Sequence, residues 1–231
     1  MRAFITLNYF IMRKRTLFSL LLCLAFMLFA QVNVKADEAF RNHRYSSFKA
    51  LPICQEGDIV FIGNSITNMM NWYEAFGSQQ NIRGRGNSGG LTQEILDNLE
   101  SMIAGNPSKV FLMIGTNDLG TAGDNYAPAA VAQRIQKILT RICMEAPNAT
   151  VYYQSILPST VGSRTQAKTE ETNKLVKEWI DARDNNRVVY VDLYTPLVAT
   201  NGAMSNIGTS TTSYSSDGLH LTQKGYRIWM D

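Results

Sequence analysis

The sequence predicts an α/β fold in which one parallel β-sheet is covered by helices on both faces. Two observations carry this expectation. Short apolar runs rich in β-branched residues recur along the chain, and segments with helical periodicity lie between them. Strands alternating with helices of this length make βαβ units, whose crossovers are right-handed and whose sheet is parallel. A third observation points to the working edge: Gly, Asn, Ser and Asp gather directly after the apolar runs, at the carboxyl ends of the strands where such sheets bind ligands.

Residues 1–36 read as a leader rather than as part of that fold. Arg13-Lys14-Arg15 precedes an apolar run over residues 17–30, and Val34-Lys35-Ala36 offers small residues where a signal peptidase reads them. The expectation is a signal peptide cleaved after Ala36 and an exported protein, periplasmic or secreted. The run is shorter than the roughly 20 apolar residues of a spanning helix, so no stable membrane insertion is expected once the leader is cleaved. Arg2, Arg13, Lys14, Arg15 and Lys35 leave with it and no acidic residue does. The 22 basic side chains fall to 17 against 19 acidic, and the formal net charge moves from +3 to −2. The basic balance belongs to the leader, and nucleic acid is not an expected partner.

Residues 37–231 are enough for one domain with a sizeable core. Asp58-Ile59-Val60-Phe61-Ile62-Gly63 is the first expected strand, and Ile82 marks a further short one. Lys109-Val110-Phe111-Leu112-Met113-Ile114-Gly115, Thr150-Val151-Tyr152-Tyr153-Gln154-Ser155-Ile156 and Arg187-Val188-Val189-Tyr190-Val191-Asp192 complete the set. Helical patterns cover residues 91–104, 129–145 and 169–183, with a further helix starting near Ile66 and about nine helical residues at the end of the chain. Residues 200–216 are rich in Asn, Gly, Ser and Thr and read as a loop, either a mobile wall of a site or a surface loop of no consequence. Cys54 and Cys143 remain after the leader, and either a disulfide or two unpaired buried thiols fits their spacing.

The chemistry-bearing residues are few. Only two histidines occur, and His220 stands three residues after Asp217 in Asp217-Gly218-Leu219-His220. A carboxylate at that spacing can fix the tautomer of an imidazole acting as general base, although Asp-x-x-His also occurs by chance. Ser65 follows a strand through Gly63-Asn64 and precedes a helix, which suits either a nucleophile or a helix cap. The nucleophile elbow Gly-x-Ser-x-Gly is absent, because Thr67 occupies the second glycine position. Arg85-Gly86-Asn87-Ser88-Gly89-Gly90 supplies flexible backbone with an N–H to donate. Gly84 to Gly89 also fits Gly-x-Gly-x-x-Gly, but the residues before it are polar, so nucleotide binding is not expected. Asn117 in Gly115-Thr116-Asn117-Asp118 can aim an amide N–H at an oxygen above Ser65, or simply make a turn; Asp118 reads as a turn or cap residue.

Taken in order, the blocks Gly-Asn-Ser, Gly, Gly-x-Asn and Asp-x-x-His resemble those of the SGNH, or GDSL-like, hydrolases. Here they are Gly63-Asn64-Ser65-Ile66-Thr67, Gly89, Asn117 and Asp217 to His220. The resemblance runs from Asp58 to the end. It is nearest to the branch of sialate O-acetylesterases and platelet-activating-factor acetylhydrolase-like proteins, through the first block and Ser155-Ile156-Leu157-Pro158. The chain departs from the pattern at Asn64, where the family usually has Asp, and in its short tail after His220.

The resemblance implies a three-layer flavodoxin-like fold and an esterase with Ser65, Asp217 and His220 as catalytic residues. The N–H groups of Ser65 and Gly89 and the Asn117 amide would form the oxyanion hole, with no metal or cofactor. The implied substrate is a small acyl ester, most readily an acetyl ester on a carbohydrate. An O-acetyltransferase, a lysophospholipase or a thioesterase would use the same residues, and a binding protein with a vestigial triad would retain them. The oligomeric state is left open.

Overall fold

Among the described residues, five strands form one parallel sheet in the order β2-β1-β3-β4-β5, in a computed structural model of the chain. They are β1 Ile59–Gly63, β2 Ile82–Gly86, β3 Lys109–Met113, β4 Thr150–Gln154 and β5 Val188–Val191. β1 and β3 are nearly continuous in apolar residues because both faces are covered, as parallel sheets require. β2 is longer than Ile82 alone led us to expect, since Arg83, Gly84, Arg85 and Gly86 pair with β1 despite their composition. Ladder partners on the neighbouring strand override the weak strand propensity of glycine and arginine there.

Helices fill the intervals: α1 Ser65–Asn68, α2 Trp72–Ala75, α3 Thr92–Ile103, α4 Thr116–Leu119, α5 Pro128–Glu145, α6 Gln166–Asp181 and α7 Gln223–Met230. The short α2 and α4 carry too few turns to show a periodic pattern in the sequence. The described residues are 16, 18–23, 37–78, 81–184, 186–198 and 213–231. They fall into two units, residues 1–43 and 44–231. The expected leader lies outside them except for residues 16 and 18–23, and so does the expected loop except for residues 213–216. Among the described residues no helix is long and apolar enough to cross a membrane.

Alternate strand residues enter two separate cores, because successive side chains point to opposite faces. Val60, Ile62, Val110, Leu112, Val151 and Tyr153 join α3, α5 and α6 through Ile95, Leu99, Ile135, Leu139 and Val176. Phe61, Ile82 and Met113 face the other way, toward Ile66, Trp72, Leu197, Tyr226 and Trp229. In-register pairing of Phe61 with Phe111 and of Phe111 with Tyr152 stacks their rings 4.7 and 4.6 Å apart. Helices on both sheet faces make the three layers of a flavodoxin-like α/β fold. Cys54 is buried and Cys143 half-buried, and both are free thiols.

The strand order reverses direction at β1, which is followed by β2 on one side and β3 on the other. Doubly wound sheets leave a crevice at that point, outside the carboxyl ends of the two strands. Gly63-Asn64-Ser65 leaves β1 there, and Gly115-Thr116-Asn117 leaves β3.

Candidate active site

Ser65 is the first residue of α1 and is buried to 8% exposure. It does not cap that helix, which excludes the alternative role the sequence allowed it. Asn64 is the cap: its Oδ1 accepts from the Ile66 N–H at 3.0 Å. The departure from Asp at this position therefore keeps the acceptor, because an amide oxygen satisfies the same N–H. Gly63 has to lack a side chain, since a Cβ there would meet Thr67 Oγ1 and come within 2.6 Å of the Met113 carbonyl oxygen. Tyr226 of α7 donates to the Ile66 carbonyl at 2.6 Å, and Trp72 donates its indole N–H to the Thr67 carbonyl at 2.8 Å.

The turn after residue 213 carries the acid and the imidazole. Asp217 Oδ1 accepts from the N–H of Leu219 at 2.9 Å and of His220 at 2.7 Å, a side-chain turn that aspartate forms readily. Its Oδ2 lies 2.6 Å from His220 Nδ1, and His220 Nε2 lies 2.9 Å from Ser65 Oγ. Partial burial pushes the Asp217 carboxyl up, but the His220 ring and the His220 and Leu219 N–H groups outweigh it, leaving the carboxyl at about 2. Gly218, at φ +81°, meets Thr160 so closely that no Cβ would fit. Its carbonyl accepts from Ser159 Oγ at 3.0 Å and from the Thr160 N–H at 2.9 Å. Ser215 Oγ donates to the His220 carbonyl at 2.7 Å and accepts from the Gly218 N–H at 2.9 Å, closing the turn from inside. The short tail is anchored as well, because Trp229 packs edge-on against Trp72 at 4.9 Å.

Gly89 and Asn117 come from different strand ends and are tied together. Gly90 N–H donates to the Asn87 carbonyl at 3.0 Å, closing a turn in which Gly89 sits at φ +76°. Only glycine takes that conformation without strain. The Asn117 amide donates to the Gly90 carbonyl at 3.1 Å. Asn68, at the end of α1, donates to Ser88 Oγ at 3.1 Å and so joins the glycine loop to the Ser65 helix. Gly86 admits the Asn68 backbone, which a Cβ there would meet, so this glycine of the Gly-x-Gly-x-x-Gly string serves the chain's own packing.

Several supporting contacts escaped the sequence reading. Asp118 is fully buried and accepts from the Thr92 N–H at 3.1 Å and Thr92 Oγ1 at 2.6 Å, and Arg134 donates to it at 3.2 Å. It does cap a helix, but α3 rather than its own, where Leu91 has no side chain to do so. Burial pushes its carboxyl up, against the pull of those donors. Ser155 Oγ accepts from the N–H groups of Leu193 and Tyr194, both at 2.9 Å, and Asn173 bonds both the N–H and the carbonyl of Ile156. The partners of these residues lie 16 to 39 positions away, so no local pattern announces them. Among the described residues no three His, Cys, Asp or Glu side chains gather to hold a metal ion.

The arrangement can pass a proton from a buried hydroxyl to an imidazole held by a carboxylate. Comparison with known proteins gives it a context. A family model described as GDSL-like Lipase/Acylhydrolase matches residues 61–228. Curated proteins yield no match. Among solved structures, a Streptococcus pneumonia protein named as a candidate platelet activating factor is 25% identical, with a TM-score of 0.74, over 86% of this chain and 93% of its own. A GDSL-like lipase from Bacteroides thetaiotaomicron is 22% identical, with a TM-score of 0.60, over 82% and 92%. A catalytic mutant of an acetylxylan esterase from Geobacillus stearothermophilus is 14% identical, with a TM-score of 0.56, over 78% and 93%.

Proposed function

Because the chain belongs to the GDSL-like lipase/acylhydrolase family and is a carboxylic ester hydrolase, we propose that it cleaves small acyl esters by a serine mechanism centred on Ser65. The single observation that carries this reading is the unbroken relay from Ser65 Oγ through His220 to Asp217, at 2.9 and 2.6 Å. His220 Nδ1 donates to Asp217 and leaves Nε2 to accept the Ser65 proton. As Oγ attacks the ester carbonyl, the imidazole becomes a cation that Asp217 stabilises. The tetrahedral adduct collapses to an acyl-enzyme by expelling the alcohol, which takes the proton back from His220, and water then repeats the sequence to release the acid and restore Ser65. The N–H groups of Ser65 and Gly89 and the Asn117 amide hold the tetrahedral oxyanion.

An acetyl group on a carbohydrate is the substrate we favour, a choice supported by the Ser155-Ile156-Leu157-Pro158 segment and by the acetylxylan esterase among the structural neighbours. Export after cleavage at Ala36 would bring the enzyme to such substrates. The test is Ser65→Ala assayed on a chromogenic acetate ester and on acetylated sugars, with circular dichroism to verify the fold. Turnover is expected to fall by at least about 10³-fold, to what the oxyanion hole and binding provide alone. Undiminished turnover in a folded variant removes the mechanism. A preference for long-chain esters over acetyl esters removes the substrate assignment alone.

A further inference from the structure

An amide donor works only if it faces the right way. The oxygen and nitrogen ends of an asparagine side chain have nearly the same shape, and a half-turn about χ2 would present an oxygen to an oxyanion instead of an N–H. The neighbours of Asn117 specify one orientation. Arg164 Nη2 lies 3.4 Å from Asn117 Oδ1, and a guanidinium can only donate. On the other side the Gly90 carbonyl accepts from Asn117 Nδ2 at 3.1 Å. One N–H of that nitrogen is thus engaged, and the second remains for a substrate oxygen.

Arg164 is itself held. Its Nε donates to the Thr116 carbonyl at 2.9 Å and its Nη1 to the Val161 carbonyl at 3.1 Å. Thr116 is the residue before Asn117, so one planar group grips both the backbone and the side chain of the donor. Gly120 makes room for it: a Cβ there would lie 2.6 Å from the Arg164 Cζ. The loop that carries Arg164 also holds the acid-base turn, through Ser159 and Thr160 on the Gly218 carbonyl.

We infer that Arg164 is a positioning residue for the reaction, fixing the Asn117 amide with its N–H toward the oxyanion. Its positive charge adds a favourable field at the place where negative charge develops. The inference rests on the proposed role of Asn117, and it accounts for a half-buried arginine whose donors are spent on carbonyls rather than on a carboxylate. Lysine cannot replace it, because a single ammonium cannot span three acceptors in one plane.

The test is a double-mutant cycle on the acetate ester, using Arg164→Gln, Asn117→Ala and the pair, with Ser65→Ala beside them. Asn117→Ala is expected to lower kcat by about 10²-fold or more. Arg164→Gln is expected to lower kcat roughly tenfold with KM changed less than about twofold, and to do nothing further once Asn117 is alanine. An unchanged kcat in Arg164→Gln, or an equal loss with and without Asn117, overturns the inference. If Arg164→Gln does not fold, Gly120→Ala displaces the guanidinium with the arginine retained. Gly120 has φ −84°, so its backbone accepts alanine, and the same pattern is expected. Persistent activity in Ser65→Ala, or an unaffected Asn117→Ala, refutes the serine or oxyanion assignment instead, which separates the two failures.

Discussion

Asp118→Ala isolates the device that joins the loops carrying Gly89 and Asn117. The carboxylate is fully buried, and its removal leaves the Thr92 N–H at the start of α3 without an acceptor and Arg134 without its counter-charge. Breaking one side of a buried ion pair costs about 3–5 kcal/mol. The low end applies here, because the Arg134 side chain keeps 15% exposure and still reaches Thr92 Oγ1 at 2.6 Å. Taking about 3 kcal/mol, and about 2–4 °C of melting temperature per kcal/mol for a domain of this size, the midpoint should fall by about 6–12 °C. Asp118→Asn keeps an oxygen for Thr92 but loses the charge, so its fall should be intermediate. Thermal unfolding followed by circular dichroism at neutral pH measures both. A midpoint within about 2 °C of the unaltered protein would mean that desolvating the pair cancels its attraction, and the reasoning would be refuted.

Asp217→Asn should lower kcat by about 10³–10⁴-fold with little change in KM, because the amide no longer stabilises the imidazolium; a loss under tenfold in steady-state kinetics contradicts the relay. The same carboxyl is held at about 2, below its unfolded value of about 3.9. Its contribution to stability is therefore present above about pH 4 and lost as pH falls toward 2. Melting curves between pH 5 and 2 should show the unaltered protein losing more stability than Asp217→Asn, by a small margin since the side chain is half exposed. Tyr226→Phe removes the donor to the Ile66 carbonyl and should cost about 1 kcal/mol. An unchanged denaturation midpoint in urea would show that this bond does not brace the Ser65 helix.

The strands were legible because a parallel sheet buried on both faces leaves continuous apolar runs, as at β1 and β3. β2 was almost invisible, since Arg83-Gly84-Arg85-Gly86 is extended by its partner β1 rather than by its own preferences. Ser65 and Asn117 were singled out as candidates because each stands in a short pattern after an apolar run, and Gly89, Asp217 and His220 because they complete the order of the four blocks. Arg164 and the contacts that join Thr92, Asp118 and Arg134 were not. A guanidinium that donates to three carbonyl or amide oxygens leaves no mark in its sequence neighbours, and Asp118 caps a helix that begins 26 residues before it.

The sequence by itself determined the order of the elements, the parallel sheet and the residue types waiting at its carboxyl edge. Those follow from local rules: hydrophobic period, glycine at strand ends and aspartate turns. Which side chains meet was decided by the tertiary structure alone. Ser65 and His220 stand 155 positions apart, and no local preference sets that contact. It arises because the sheet brings the β1 end and the final turn to one edge, and because Gly218, Thr160 and Tyr226 lock them there by close approach and hydrogen bonding.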